Sequence, residues 1–129
     1  MNYAILILAL GCDLRVISDT AKFWMPEMGM GRAVGEPSVE TLVACVGPLV
    51  TKDIIISGRR VDAAEMLRLG LMNRSVPADE VMSNALEWAG RLAALSPHAI
   101  NIIKSGANAG LLAIWERAAR TERRTSSPA

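Results

Sequence analysis

CDLRVISDTAKFWMPE, running from Cys12 to Glu27, brings a β-branched pair, a turn signal and a proline-acid dipeptide into close succession. Leu14 to Ser18 contains Val16 and Ile17 and stops at Ser18-Asp19, so it reads as a short strand ending in a turn. Lys22 to Trp24 is expected to be a second short strand returning from that turn. The next stretch, MPEMGMGRAVGEPS (Met25 to Ser38), holds three glycines and two prolines and is expected to be an irregular loop. Loops of this kind, held on a rigid frame, carry function more often than the elements they join.

Upstream, Tyr3 to Leu10 is continuously apolar, and periodicity alone does not choose between a buried helix and a buried strand. MNYAILILALGC also has the outline of a short secretory leader ending in a lipid-modified Cys12. It lacks a basic n-region, and its apolar run is at the short end for an h-region. A bilayer span needs about 20 apolar residues, so no membrane partner is expected. An exported lipoprotein is therefore a minor alternative to a buried element.

The chain has 129 residues, the size of one small domain or a piece of a larger one. It is 51% hydrophobic and 21% charged, with a net charge of +1, which suits a core-forming globular chain and not a disordered one. That balance offers nucleic acid no electrostatic attraction. Cys12 and Cys45 lack metal-ligand spacing, and His98 is the one histidine, so no metal site is expected. Two reduced, buried thiols in a cytoplasmic protein are the simplest reading of the cysteines.

Downstream the signals are helical. Ser38 is expected to cap a helix through Val46. Asp62-Ala-Ala-Glu65 has capping-box spacing, and Gly70 stands where a glycine would end the helix it starts. Leu71 to Val76 is expected to be extended and closed by Pro77. Asp79 to Leu95 carries an apolar stripe at Val81, Ala85, Trp88, Leu92 and Leu95. Ser96-Pro97 opens a helix reaching at least Ala107, and Leu111 to about Arg120 forms a last helical stretch. The unit is thus mostly helical, with a short β segment near its start. Ile5 to Cys12 is apolar all round, which calls for further structure or a homo-oligomer contact to cover it.

Three blocks in order, LALGCDLRVIS with AKFWMPE, then SGRRVDAAEMLRLG with LMNRSVP, then EWAGRLAALSPHAINIIKSGANAGL, resemble the later half of the crotonase family. These are the enoyl-CoA hydratases and isomerases. The resemblance covers about Leu6 to Glu116. It implies an α/β fold, a partial crotonase (ClpP-like) spiral, with residues 1–129 as a single truncated domain. It also implies acyl groups carried as coenzyme A thioesters, with coenzyme A arriving as part of the substrate and no separate cofactor. A homo-oligomer, trimer or hexamer, is the implied partner state.

The resemblance places the family's second glutamate on Glu27, as a catalytic proton carrier beside Pro26 and among Trp24, Met25, Met28 and Met30. It places the backbone N–H of Ala4 in the oxyanion hole that stabilises the enolate. The family's first glutamate lines up with Ile7, which neither holds water nor transfers a proton. The implied chemistry is therefore isomerase-like, with two-carboxylate hydration in doubt. Glu36 is an acid absent from the hydratase pattern, facing either the acyl chain or solvent. His98 falls in a first helical turn with no acid or thiol near it in sequence. Arg117, Arg120, Arg123 and Arg124 form a basic end, either a solvated helix face or a contact for coenzyme A phosphates. The rival from another class is a non-catalytic remnant that acts only as an interaction module.

Overall fold

In the computed structural model the described residues are 3–32 and 34–125. The apolar run is a helix, α1 (Tyr3–Leu10). It turns Leu6 and Leu10 into the core and leaves Leu8 75% exposed. Leu6 and Leu10 of the apolar run thus belong to the core, while Ile5 and Leu8 do not. Its last carbonyls are capped by Arg15, whose guanidinium donates to Ala9 O, Leu10 O and Cys12 O. The same side chain donates to Leu71 O at 3.0 Å, tying the helix end to a distant segment.

The β structure is four short pieces in two pairs. Strand β1 (Val16–Ser18) lies parallel to a strand far along the chain, β4 (Arg74–Val76), with Ile17 opposite Ser75. Strand β2 (Lys22–Phe23) pairs antiparallel with β3 (Val61–Asp62), Phe23 opposite Val61. The expected return of Lys22–Trp24 against Val16–Ser18 does not occur. The Asp19 N–H continues the β1–β4 pairing by donating to Val76 O, and the Ser18–Ala21 turn then sends β2 elsewhere.

Between β2 and β3 the chain crosses the core as α2 (Glu36–Ser57). It starts two residues before the expected cap. Gly35 is the N-cap, Pro37 sits in the first turn where its fixed φ suits a helix, and Ser38 is buried inside. Its first segment ends at Val46 as expected, because Gly47, at φ 79° and ψ 166°, breaks the helix, and Pro48 starts a second segment that runs to Ser57. A left-handed residue followed by an N–H-less one ends one helical segment and begins the next. The second segment adds Ile54 and Ile55 to a core that includes Phe23, Met25, Leu42, Val61, Met66 and Leu71.

Asp62 caps α3 (Ala63–Arg68) as its spacing indicates, accepting the Glu65 N–H at 2.8 Å, and Gly70 follows the helix at φ 76°. Helix α4 (Val81–Ala93) lies beside β1, with Val81, Ala85, Trp88 and Leu92 of the expected stripe half-buried, while Leu95 falls beyond the helix and is exposed. Arg74 stacks 3.8 Å from the Trp88 ring centroid. The last element, α5 (Pro97–Thr125), is one continuous helix through Gly106 and Gly110 where two stretches were expected. Glycine inside a helix costs about 1 kcal/mol. Here Asp13–Lys104, Asp13–Asn108, Thr41–Trp115 and Glu40–Arg117 contacts hold the helix to the body along its length.

Candidate active site

Glu27 stands directly after the β2–β3 ladder, where Met25 plugs the core and Pro26 turns the chain. Its backbone is helical, at φ −54° and ψ −44°, and it heads a tight turn over Met28–Met30. The Glu27 carbonyl accepts the N–H of Met30 at 3.1 Å and of Arg32 at 2.8 Å. These bonds fix the backbone and leave the side chain to other duties. The carboxylate atom Oε2 is buried and accepts no hydrogen bond from any described residue. A buried carboxylate oxygen without a donor is rare, because it forfeits hydration for nothing. Of the expected apolar surround only Met25 is buried; Trp24, Met28 and Met30 are exposed.

The turn after α2 is held by charge. Arg59 donates to both oxygens of Glu65, at 2.8 and 2.9 Å, and to Asp53 at 2.7 Å. This planar fork joins the end of α2 to α3. The Arg59 bond holds the Glu65 carboxyl below its ordinary range, and the two carboxylates raise Arg59 in turn.

Ala4 is the second residue of α1, a position whose N–H the helix's own ladder leaves unused. Helix α2 supports both expected site elements, since α1 and the Met28–Met30 turn each pack against it. Ile7 packs on the core and brings no polar atom to the place of a second carboxylate. Glu36 is exposed in the first turn of α2, where an acid suits the helix dipole. His98 is exposed in the first turn of α5. In the basic end, Arg117 pairs with Glu40 and Arg120 lies 3.9 Å from Glu116. The Arg123 and Arg124 side chains lie outside the described ones.

A cavity of about 490 Å3 opens between the end of α1, the end of α4 and α5, lined by Leu10, Cys12, Leu92, Ile103, Leu111 and Trp115 among others. Glu27 is not part of it. Burial pushes up the Cys45 thiol, which keeps it in its unreactive form. No group of His, Cys, Asp and Glu suited to a metal ion occurs among the described residues. No helix among them is long and apolar enough to cross a membrane.

Sequence reasoning missed Trp24 and Arg59. Trp24 counted only as part of an apolar wall, yet its indole donates to Gly58 O at 2.9 Å. The available signal was SGRR facing D-x-x-E, a fork donor near two acids, which identifies an ion pair but not its neighbour across the ladder.

Comparison with known proteins agrees with this architecture. A profile of the family described as "Enoyl-CoA hydratase/isomerase" matches residues 6–126. The chain is 34% identical over 104 residues to the short-chain-enoyl-CoA hydratase of Clostridium acetobutylicum, covering 81% of this chain and 40% of that protein. It is 37% identical over 117 residues to a probable enoyl-CoA hydratase of Rhizobium meliloti, covering 91% and 46%. Among solved structures, enoyl-CoA hydratase subunit I of Geobacillus kaustophilus superposes with a TM-score of 0.80 at 31% identity, over 95% of this chain and 48% of that one. A monofunctional enoyl-CoA isomerase of M. smegmatis gives 0.73 at 32%, over 85% and 52%. The chain spans less than half the length of these curated relatives.

Proposed function

Because the chain belongs to the enoyl-CoA hydratase/isomerase (crotonase) family, we propose that it moves the double bond of an enoyl-CoA thioester, with Glu27 as the proton carrier. The observation that carries this reading is the buried Oε2 of Glu27, which accepts no hydrogen bond from any described residue. Such an oxygen is available to take a proton from carbon.

In a 3-enoyl-CoA, Glu27 removes a proton from the carbon next to the thioester carbonyl. The C–H electron pair moves toward the carbonyl and forms a dienolate. The backbone N–H of Ala4 is one of the donors that meet the oxyanion. The protonated Glu27 returns its proton two carbons further along, giving the conjugated 2-enoyl-CoA and restoring the carboxylate. The step needs no cofactor, since coenzyme A is part of the substrate. Water addition across the double bond needs a second proton-transferring group, and Ile7 does not supply one.

The proposal places this chemistry in the cytoplasm and in a homo-oligomer. Large apolar side chains left exposed on α4 and α5, such as Met82, Leu86 and Ile102, support an interface between copies. They also support a second reading, a non-catalytic member that acts by association with intact relatives. The deciding test is conversion of a 3-enoyl-CoA to its conjugated isomer by the protein and by Glu27→Gln. Conversion that disappears in Glu27→Gln while thioester binding persists supports catalysis. Binding without conversion in either protein assigns the non-catalytic role.

A further inference from the structure

The segment leading to Glu27 is anchored on one side by the core and on the other by the turn between α2 and β3. The β2–β3 ladder pairs Lys22 with Asp62 and Phe23 with Val61, and Trp24 follows directly after it, beside Arg60. There the indole N–H donates to the carbonyl of Gly58 at 2.9 Å, and the Arg60 guanidinium lies 5.1 Å from the ring centroid. Gly58 has φ 62°, a left-handed conformation that turns the chain after α2. A side chain there would come within 3.7 Å of Met25 O, so the turn lies directly against the residues that precede Glu27.

The turn itself is rigid. Ser57 Oγ accepts the Arg59 N–H and donates to Asp53 O. Arg59 is locked to Asp53 on one side and to Glu65 on the other. A carbonyl fixed this firmly is a reference point, and Trp24 is the side chain that links the Glu27 segment to it.

We propose that Trp24 is a positioning residue: its Nε1–H bond to Gly58 O, on a turn fixed by Arg59, sets where the Glu27 carboxylate stands. The inference rests on the reading of Glu27 as proton carrier. Small errors in the placement of a reacting group are expensive, a shift of about 1 Å costing up to about a hundred-fold in rate. Met25 keeps the segment in the core without this bond, so its loss displaces the carboxylate without unfolding the domain.

The test compares the protein with Trp24→Phe, which keeps a ring over Arg60 and removes the N–H, and with Glu27→Gln. Trp24→Phe is expected to lower kcat on a 3-enoyl-CoA about ten-fold with KM changed less than about two-fold. The carboxyl-carbon resonance of 13C-labelled Glu27, assigned by its absence in Glu27→Gln, is expected to shift in Trp24→Phe. An unchanged kcat in Trp24→Phe, with activity lost in Glu27→Gln, overturns the positioning role and leaves the proton carrier intact. Activity indifferent to Glu27→Gln, or absent altogether, overturns the proton carrier instead. In that case the Glu27 resonance decides alone: unmoved by Trp24→Phe, it refutes the positioning role, and shifted, it upholds it.

Discussion

The indole of Trp115 lies over Gly11 so closely that a Cβ on Gly11 would fall against Trp115 Cη2 and 3.1 Å from Cζ3. The same indole donates its Nε1–H to Thr41 Oγ1 at 3.1 Å, and Thr41 Oγ1 donates to Pro37 O at 2.7 Å. One aromatic side chain on α5 thereby joins the end of α1 to the first turns of α2.

Gly11→Ala forces that rigid ring away and is expected to cost about 1–3 kcal/mol, the usual range for overpacking. Urea denaturation read by far-UV circular dichroism gives the value. In a Trp115→Ala background the same substitution is expected to cost less, because the ring is gone and only the 3.2 Å approach to Leu8 O remains. Equal costs in both backgrounds would refute the contact.

Arg15 donates to four carbonyls, those of Ala9, Leu10, Cys12 and Leu71, over distances of 2.8–3.2 Å. A lysine has three donors on a single atom and does not span both the helix end and Leu71. Arg15→Lys is therefore expected to lose about 1–3 kcal/mol in urea denaturation, through half-buried carbonyls left unpaired. A change within about 0.5 kcal/mol, the level of an ordinary surface substitution, would contradict this role.

The Glu65 carboxyl is held below its ordinary 4.5 chiefly by the Arg59 hydrogen bond, and secondarily by the charges of Arg59 and Arg68. A depressed carboxyl stabilises the fold fully above its unfolded value, and that contribution disappears as pH falls through the lower folded value. Asp13, lowered from 3.8 chiefly by its Lys104 bond, acts in the same sense. Urea midpoints measured from about pH 7 downward are expected to fall below about pH 4.5. Arg59→Gln is expected to make that acid-side fall shallower, while the part due to Asp13 remains. An unchanged acid slope in Arg59→Gln would remove Arg59 as the cause.

Much of this frame was legible in the residues. D-x-x-E placed the α3 cap because capping is a local bond, and the α4 stripe is visible because its period is local too. What failed depended on distant partners. β2 was expected against β1, but its partner Val61–Asp62 lies beyond the whole of α2. Ser38 looked like a cap by composition, yet Pro37 at a first-turn position moved the start to Glu36. Leu111 to Arg120 was expected to be a separate stretch, and ties from α5 to Asp13 and Thr41 keep one helix whole. Glu27 was assigned to the proposed site through its motif, whereas the Trp24–Gly58 bond joins loops far apart in sequence and has no local signature.

The proposed site has one working carboxylate, Glu27, with Ile7 where a second would stand. It is tested most directly by measuring isomerisation of a 3-enoyl-CoA and hydration of a 2-enoyl-CoA side by side, in the protein and in Glu27→Gln. Isomerisation is expected to exceed hydration and to fall about 100-fold or more in Glu27→Gln, the usual yield of general acid–base catalysis. Hydration as fast as isomerisation, or isomerisation that survives Glu27→Gln, would contradict it.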